Sequence, residues 1–323
     1  MQAVLLLSVT VSGIVGTMCG CVSSMPALME FYNATNGLTW AQSNGWGSAD
    51  CNVSWFGVTC TLNEFDGSSR ITEVNLTSNN LGGSLTESLV NLTRLQSLLL
   101  GSNHISGTLP AKWRMFDFLY QLDVSSNNLY GSIPSNWASV ELSLVDFSRN
   151  SFNGSLAESF SNNILSIDFS DNQITGSLPT SWASFADICY LSVRRNNLEG
   201  TLPESWKTMG TNGSGLVLIL SYNHIGGSLP GNWSQLTMIK ELRLDHNNLH
   251  GPLPESWSTM ESHVFFSLVL DSNPIRTTLP SSWKPSPAGG TLTIFDFVAV
   301  LSLANCSLYG TLPVSWTFPS IDV

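Results

Sequence analysis

Charged residues and long apolar segments are both scarce in this chain of 323 residues. Only 11% of the residues are charged, and the acidic residues outnumber the basic ones by 23 to 12. The formal net charge of -11 would repel a phosphate backbone or an anionic membrane surface, so we expect no nucleic-acid partner. No segment after residue 24 has the length and apolarity of a transmembrane helix. We therefore expect membrane contact only through an anchor that this chain does not contain.

Sequence signals for catalysis and for metal binding are also missing. The chain has no G-x-S-x-G, no phosphate-binding glycine loop and no C-x-x-C, and its five histidines lie at no metal-ligand spacing. These absences predict a protein that is not an enzyme and that uses no cofactor and no metal.

The N-terminal residues differ from the rest in composition. Residues 1–24 carry no charged side chain, and the apolar run at residues 3–15 is too short to span a bilayer. We interpret residues 1–24 as a signal peptide, which predicts a secreted or cell-surface protein; the alternative is a buried N-terminal strand. Residues 25–66 lack the repeat described below and are predicted to be an N-terminal cap, followed by a repeat domain at residues 67–323.

The six cysteines fall into groups with different expected roles. Two of them lie within the predicted signal peptide. Cys51 and Cys60 bracket a short loop before the first repeat, and an oxidising compartment favours a disulfide between them, which would stabilise the fold by about 2–3 kcal/mol. Cys189 is predicted to be an inert thiol, and Cys306 occupies a repeated position described next.

A repeat of the form L-x-x-L-x-L-x-x-N-x-L-x-G-x-L-P-x-x-W occurs ten times. The spacing between its asparagines is 22 to 27 residues, except for 33 residues before the tenth copy. Apolar and polar residues alternate in the leucine segment, which predicts one strand per copy and a parallel sheet when the copies stack. The ladder positions are Asn79, Asn103, Asn127, Asn150, Asn172, Asn196, Asn223, Asn247, Asn273 and Cys306.

The asparagine and the tryptophan of the repeat each have a predicted structural role. The asparagine amide can donate to and accept from backbone groups where the chain turns away from the sheet. The glycine permits a positive φ, and the tryptophan position also accepts Leu89 and Phe160, which predicts a buried spine and not a surface for stacking sugars. The tryptophans at this position are Trp113, Trp137, Trp182, Trp206, Trp233, Trp257, Trp283 and Trp316.

The segment LMEFYNATNGLTWAQSNGWGSADCNVSWFGVTC and the following RITEVNLTSNNLGGSL resemble the cap and first repeat of extracellular leucine-rich-repeat proteins, which include plant receptor-kinase ectodomains and polygalacturonase-inhibiting proteins. The G-x-L-P-x-x-W ending is more similar to the leucine-rich-repeat surface antigens and proteophosphoglycans of trypanosomatid protozoa. The resemblance implies an α/β-type repeat solenoid, a horseshoe with a parallel β-sheet on its concave face and an irregular or 3₁₀ convex side. Those surface antigens usually end in a Ser/Thr-rich stalk, a Cys-rich cap and a lipid anchor, which we do not find in this sequence.

The variable strand positions indicate where a ligand could bind. Three aspartates occupy one position in consecutive copies, where they would stand roughly 5 Å apart and repel one another unless a donor, a cation or protonation relieves them. Simple solvation of the concave face is the alternative reading of these charges, and a bound calcium ion or a glycosidase carboxylate pair would be minor ones. The candidate ligand-binding residues are Asp123, Asp146, Asp168, Tyr190, Arg194, Arg195, Tyr222, Arg243, Asp245 and His246.

Function and glycosylation are predicted with alternatives. We expect a protein or glycan ligand on the concave face and a role in recognition or adhesion; a glycosylated structural coat component and a secreted enzyme inhibitor are the alternatives. Eight N-x-S/T sequons occur, about as many as chance would produce in a chain so rich in Asn, Ser and Thr. The candidate glycosylation sites are Asn33, Asn52, Asn75, Asn91, Asn153, Asn212, Asn232 and Asn305.

Overall fold

The computed structural model describes most of the predicted cap and repeat domain. The predicted signal peptide lies outside the described residues up to residue 20, and so do Cys51, Asn52 and Trp137. The described residues contain one α-helix, α1 (Cys21–Ala34). It begins within the predicted signal peptide and continues into the predicted cap. The described ranges are 21–47, 54–62, 69–135, 140–158, 160–213, 215–236, 238–260, 266–284 and 298–316.

In the described residues, sixteen strands form one large sheet and two small ones. The large sheet has eleven strands in the order β1-β2-β3-β5-β7-β9-β10-β11-β13-β15-β16, in which β1 is antiparallel to β2 and all other neighbours are parallel. Each of the ten repeats supplies one of the strands from β2 onward, so the predicted leucine-rich-repeat solenoid is confirmed. The strands are β1 (Val58–Leu62), β2 (Ser69–Asn75), β3 (Ser97–Leu99), β4 (Ser106–Gly107), β5 (Gln121–Asp123), β6 (Asn128–Ser132), β7 (Leu144–Asp146), β8 (Ser151–Asn153), β9 (Ser166–Asp168), β10 (Tyr190–Ser192), β11 (Leu216–Ile219), β12 (Gly226–Gly227), β13 (Ile239–Arg243), β14 (Asn248–Leu249), β15 (Phe266–Val269) and β16 (Val298–Ser302).

The ladder asparagines connect neighbouring copies through their side chains. In Asn196, Oδ1 accepts a hydrogen bond from the backbone N–H of Ile174 at 2.9 Å, while Nδ2 donates to the carbonyls of Phe169 at 2.9 Å and Val193 at 3.1 Å. Cys306 is 1% exposed in the equivalent position, and its thiol donates to the carbonyl of Leu270 at 3.2 Å. The predicted ladder role of both residue types is thus confirmed.

The tryptophans form a buried spine on the opposite side of the core from the sheet. Six of the indoles are at most 1% exposed: Trp113, Trp182, Trp206, Trp233, Trp257 and Trp283. These six and the half-buried Trp316 each donate Nε1–H to a backbone carbonyl of the preceding copy, at 2.9–3.1 Å. The spine is therefore hydrogen-bonded as well as apolar, which the repeat pattern alone did not indicate.

The convex side is more regular than we expected. Short 3₁₀ helices such as Thr180–Ser184 and Glu204–Thr208 carry the spine residues, as predicted. Between them and the ladder, β4, β6 and β8 form a three-stranded parallel sheet, and β12 and β14 form a two-stranded one. Repeat glycines lie in or next to these strands at positive φ; at Gly131 (φ 82°) the chain passes so close to the preceding copy that a Cβ atom would lie 2.9 Å from Thr108 Cγ2.

The cap has its own aromatic cluster and is joined to the first repeat by hydrogen bonds. Trp40 and Trp46 pack with ring centroids 4.8 Å apart, and Trp40 Nε1 donates to the carbonyl of Thr35 at 2.9 Å. The backbone of Gln42 exchanges two hydrogen bonds with the side chain of Asn79, at 2.7 and 2.8 Å, so the cap closes the ladder at its first rung. Cys60 is disulfide-bonded, but its predicted partner Cys51 lies outside the described residues, so that pairing stays a prediction.

Candidate ligand-binding site

The variable strand residues line up in one column across the solvent-facing side of the large sheet, which we call the concave face. Strand pairing places Asp123 beside Asp146 and Asp146 beside Asp168, as the repeat alignment predicts. The complete column is Asn75, Leu99, Asp123, Asp146, Asp168, Ser192, Ile219, Arg243, Val269 and Ser302. The three aspartates therefore do stand on adjacent strands.

These aspartates line an open groove of about 230 Å³, which we call the acidic groove. Each aspartate accepts a hydrogen bond from the backbone N–H two residues later, at 2.8–2.9 Å, and so ends its strand in a local turn. Tyr190 lines the groove beside them, and its hydroxyl donates to Asp168 Oδ2 at 3.3 Å. The backbone N–H donors thus offset part of the repulsion between the aspartates.

Burial shifts the ionisation of the groove. It raises the pKa of Asp123 and of Asp168 above 3.8, because desolvation of the carboxylates outweighs the hydrogen bonds that they accept at the strand ends, and the charge of Asp146 adds to both shifts. Burial and the negative charge of Asp168 likewise raise the pKa of Tyr190 above 10.0. A cationic or hydrogen-bond-donating group in the groove would relieve the cost of keeping these carboxylates ionised.

The remaining candidate residues form a separate group, in copies six to eight. The rings of Tyr222 and His246 stack with their centroids 4.1 Å apart at 10°. The guanidinium carbons of Arg194 and Arg195 lie over the Tyr222 ring, 5.1 and 5.3 Å from its centroid. The ten residues singled out from the sequence therefore form two sites, with the acidic groove and its Tyr190 in copies three to six.

Two candidate residues are engaged in local contacts. The side chain of Asp245 is only 12% exposed; its carboxylate accepts from Ser221 Oγ at 2.5 Å and lies 3.1 Å from His246 Nδ1. Arg243 forms an ion pair with Glu241 on its own strand. Asp245 thus orients His246 and is not itself a contact surface.

Several contributors to these sites were missed from the sequence. Asp171 pairs with Arg195 at 3.4 Å. A Cβ atom at Gly101 would lie 2.8 Å from both carboxylate oxygens of Asp123, so the glycine makes room for that carboxylate on the concave face. The signal that could have identified Gly101 is its place in the repeat, because every other copy carries a side chain there.

No group of three or more His, Cys, Asp and Glu side chains in the described ranges could hold a metal ion. Likewise, none of the helices within those ranges is long and apolar enough to cross a membrane. The sequon asparagines Asn33, Asn91, Asn153, Asn212 and Asn305 are exposed, and Asn75 and Asn232 are half-buried. Their glycosylation stays a prediction.

Comparison of the sequence with known families agrees with this architecture. Residues 163–185 and 238–260 match the family model described as Leucine Rich Repeat. No curated protein matches the chain in sequence.

Solved structures with the same fold include receptors and other proteins. The Arabidopsis receptor kinase HAESA, solved in complex with the peptide hormone IDA and the co-receptor SERK1, is 26% identical with a TM-score of 0.66, covering 76% of this chain and 39% of its own. A plant ice-binding protein is 22% identical with a TM-score of 0.71, covering 93% of this chain and 91% of its own. A Leptospira interrogans leucine-rich-repeat protein is 23% identical with a TM-score of 0.56, covering 74% and 56%. The chain spans about two fifths of the length of two receptors that it matches, covering 42% of a TDR receptor and 39% of HAESA.

Proposed function

With the leucine-rich-repeat solenoid as the premise, we propose that this chain is an extracellular, non-catalytic recognition protein whose acidic groove binds a protein or glycan ligand. The observation that carries the proposal is the alignment of Asp123, Asp146 and Asp168 on adjacent strands around an open groove. The closer similarity to trypanosomatid surface antigens, export through the signal peptide and glycosylation are parts of the same proposal.

The chemistry of the groove favours a ligand with a cationic or donor group. Each carboxylate uses one oxygen for the backbone bond that ends its strand, and a carboxylate offers about four lone-pair sites. Acceptor capacity therefore remains for a lysine, an arginine or a hydroxyl-rich ligand. The complex of HAESA with a peptide hormone supports a protein ligand for a fold of this type.

The test replaces the three groove carboxylates with amides. Asn in place of Asp can still accept the strand-end hydrogen bond, as Asn75 does from the N–H of Thr77 at 3.3 Å, so the variant keeps the turn and loses only charge. We expect a D123N/D146N/D168N variant to bind lysine-containing extended peptides at least about tenfold more weakly than the parent in calorimetric titrations.

The matched control lies on the convex side. A variant with Ser155→Ala and Ser177→Ala removes two exposed hydroxyls and should bind as the parent does. Equal binding by the parent and the amide variant would contradict the proposal. A structural coat component would show no saturable binding at all, whereas an enzyme inhibitor would bind through the groove and lower its partner's activity.

A further inference from the structure

The residue before each ladder position adopts a left-handed backbone in every copy. The ten φ angles lie between 51° and 58°. Asn, Asp and His adopt this conformation more readily than other residues with a side chain, for which it costs about 1–2 kcal/mol. Copies four, six and seven nevertheless carry the large side chains of Arg149, Arg195 and Tyr222, while copies five and eight carry Asp171 and His246 and the flanking copies carry Ser or Asn. The left-handed positions are Ser78, Ser102, Ser126, Arg149, Asp171, Arg195, Tyr222, His246, Ser272 and Asn305.

Large side chains at disfavoured backbone positions tend to occur where they serve recognition. Tyr222, 36% exposed, engages its ring faces with His246 and with the guanidinium groups of Arg194 and Arg195. The stack therefore presents ring edges and guanidinium N–H groups to solvent. Hydroxyl, guanidinium and imidazole all offer hydrogen-bond donors, so the complementary ligand is rich in acceptors.

The stack contains two guanidinium groups in an acidic protein, and the carboxylates of Asp171 and Asp245 contact Arg195 and His246 within it. Among the described residues no carboxylate lies within ion-pair distance of Arg194, and Arg195 reaches Asp171 only at 3.4 Å. The contact between His246 Nδ1 and Asp245 orients the imidazole and leaves Nε2 as the ring nitrogen available to a ligand. Two neighbouring guanidinium groups can bind carboxylates in bidentate fashion.

We propose that Arg194, Arg195, Tyr222 and His246 form a cationic site for an acidic, extended segment of a partner protein. Copies six to eight place these side chains about 5 Å apart per copy, so the site is about 10 Å long and matches roughly three residues of extended chain. The site is separate from the acidic groove and rests on the proposed function only in taking a protein as partner.

The test uses a synthetic peptide of alternating glutamate and serine as the probe, titrated at pH 7 and low salt. Arg194→Ser introduces the residue that Ser148, Ser170 and Ser221 already supply at the equivalent position, so the fold should be retained. We expect R194S, and separately Y222S, to weaken binding of the probe at least about fivefold. The matched control is Arg149→Ser, which removes a cation from a left-handed position outside the site and should leave binding unchanged.

Two results would overturn the proposal. If R149S weakens binding as much as R194S does, the probe senses only the general field of the molecule. If a sulfated glycan fragment binds more tightly than the peptide with the same dependence on Arg194, the partner class is a glycan. Should R194S unfold, which its urea midpoint would reveal, Arg194→Gln decides in its place. The D123N/D146N/D168N variant should bind this probe no more weakly than the parent, so failure of the acidic groove and failure of this site can be told apart.

Discussion

Asp168 shows how a single side chain can be both structurally useful and electrostatically costly. It accepts the N–H of Ser170 at 2.8 Å and so ends its strand, yet burial raises the pKa of its carboxyl group above 3.8. An acid whose pKa is raised by folding holds its proton more tightly in the folded state than in the unfolded state. Its contribution to stability is therefore fully present at low pH and is lost as the pH rises through the folded pKa.

We accordingly predict that Asp168→Asn raises the stability of the protein at pH 7. The amide keeps the hydrogen bond from Ser170 and removes the buried charge beside Asp146. Urea denaturation at pH 3 and at pH 7 measures the difference in free energy of unfolding. The gain should be present at pH 7 and shrink toward pH 3, where the carboxyl group of the parent is protonated. A gain of the same size at both pH values would show that the charge is not the cause.

Among the elements, the spine tryptophans stabilise the fold in two ways. The ring fills space in the core, and its Nε1–H donates a hydrogen bond to the backbone. Trp206 is fully buried, and its Nε1 donates to the carbonyl of Pro179 at 2.9 Å. Phe160 occupies the same position in the fourth copy with a ring but no donor. The two requirements can thus be separated at one position by comparing substitutions of Trp206.

We predict that Trp206→Phe destabilises the protein by about 1–3 kcal/mol, because it leaves the buried carbonyl of Pro179 without its donor. Trp206→Ala should cost about 3–5 kcal/mol, because it also leaves a cavity in the core. Chemical denaturation followed by circular dichroism gives both values. Equal losses in the two variants would mean that the volume of the ring contributes nothing, whereas no loss in Trp206→Phe would mean that the indole hydrogen bond contributes nothing.

The repeat elements also show how far sequence reasoning reaches. The ladder residues, including Cys306, and the spine residues could be predicted from the periodicity, because residues at the same position of ten repeats occupy the same structural environment. The indole bonds and the left-handed positions could not be predicted in this way, since the indoles donate to carbonyls of the preceding copy and the left-handed residues donate their backbone N–H to carbonyls of the following copy. For the same reason, the sequence predicts a single binding surface for all of the candidate residues. Only the three-dimensional register separates the acidic groove from the stack around Tyr222.

On the scale of the whole molecule, the stability of each copy depends on the copies that pack against it. Each repeat contacts chiefly its two neighbours, so the ends of the stack depend on what covers them. At the N-terminal end the cap approaches the first repeat at Gly83, which has φ 63°, and a Cβ atom there would lie 1.9 Å from the carbonyl oxygen of Ala34. The backbone N–H of Ser84 also donates to that carbonyl at 3.1 Å.

We predict that Gly83→Ala loosens the cap while the central repeats stay folded. The methyl group overlaps a backbone atom that cannot move aside alone, and alanine is disfavoured at this φ by about 1–2 kcal/mol in addition. Hydrogen exchange should show faster exchange in α1 and the first repeat, with protection retained near Trp206, because coupling between copies is local. Gly82→Ala is the control, since a Cβ atom there meets only the side chain of Asn36, with Nδ2 at 2.9 Å. Loss of protection throughout the chain would show that the solenoid unfolds as one cooperative unit.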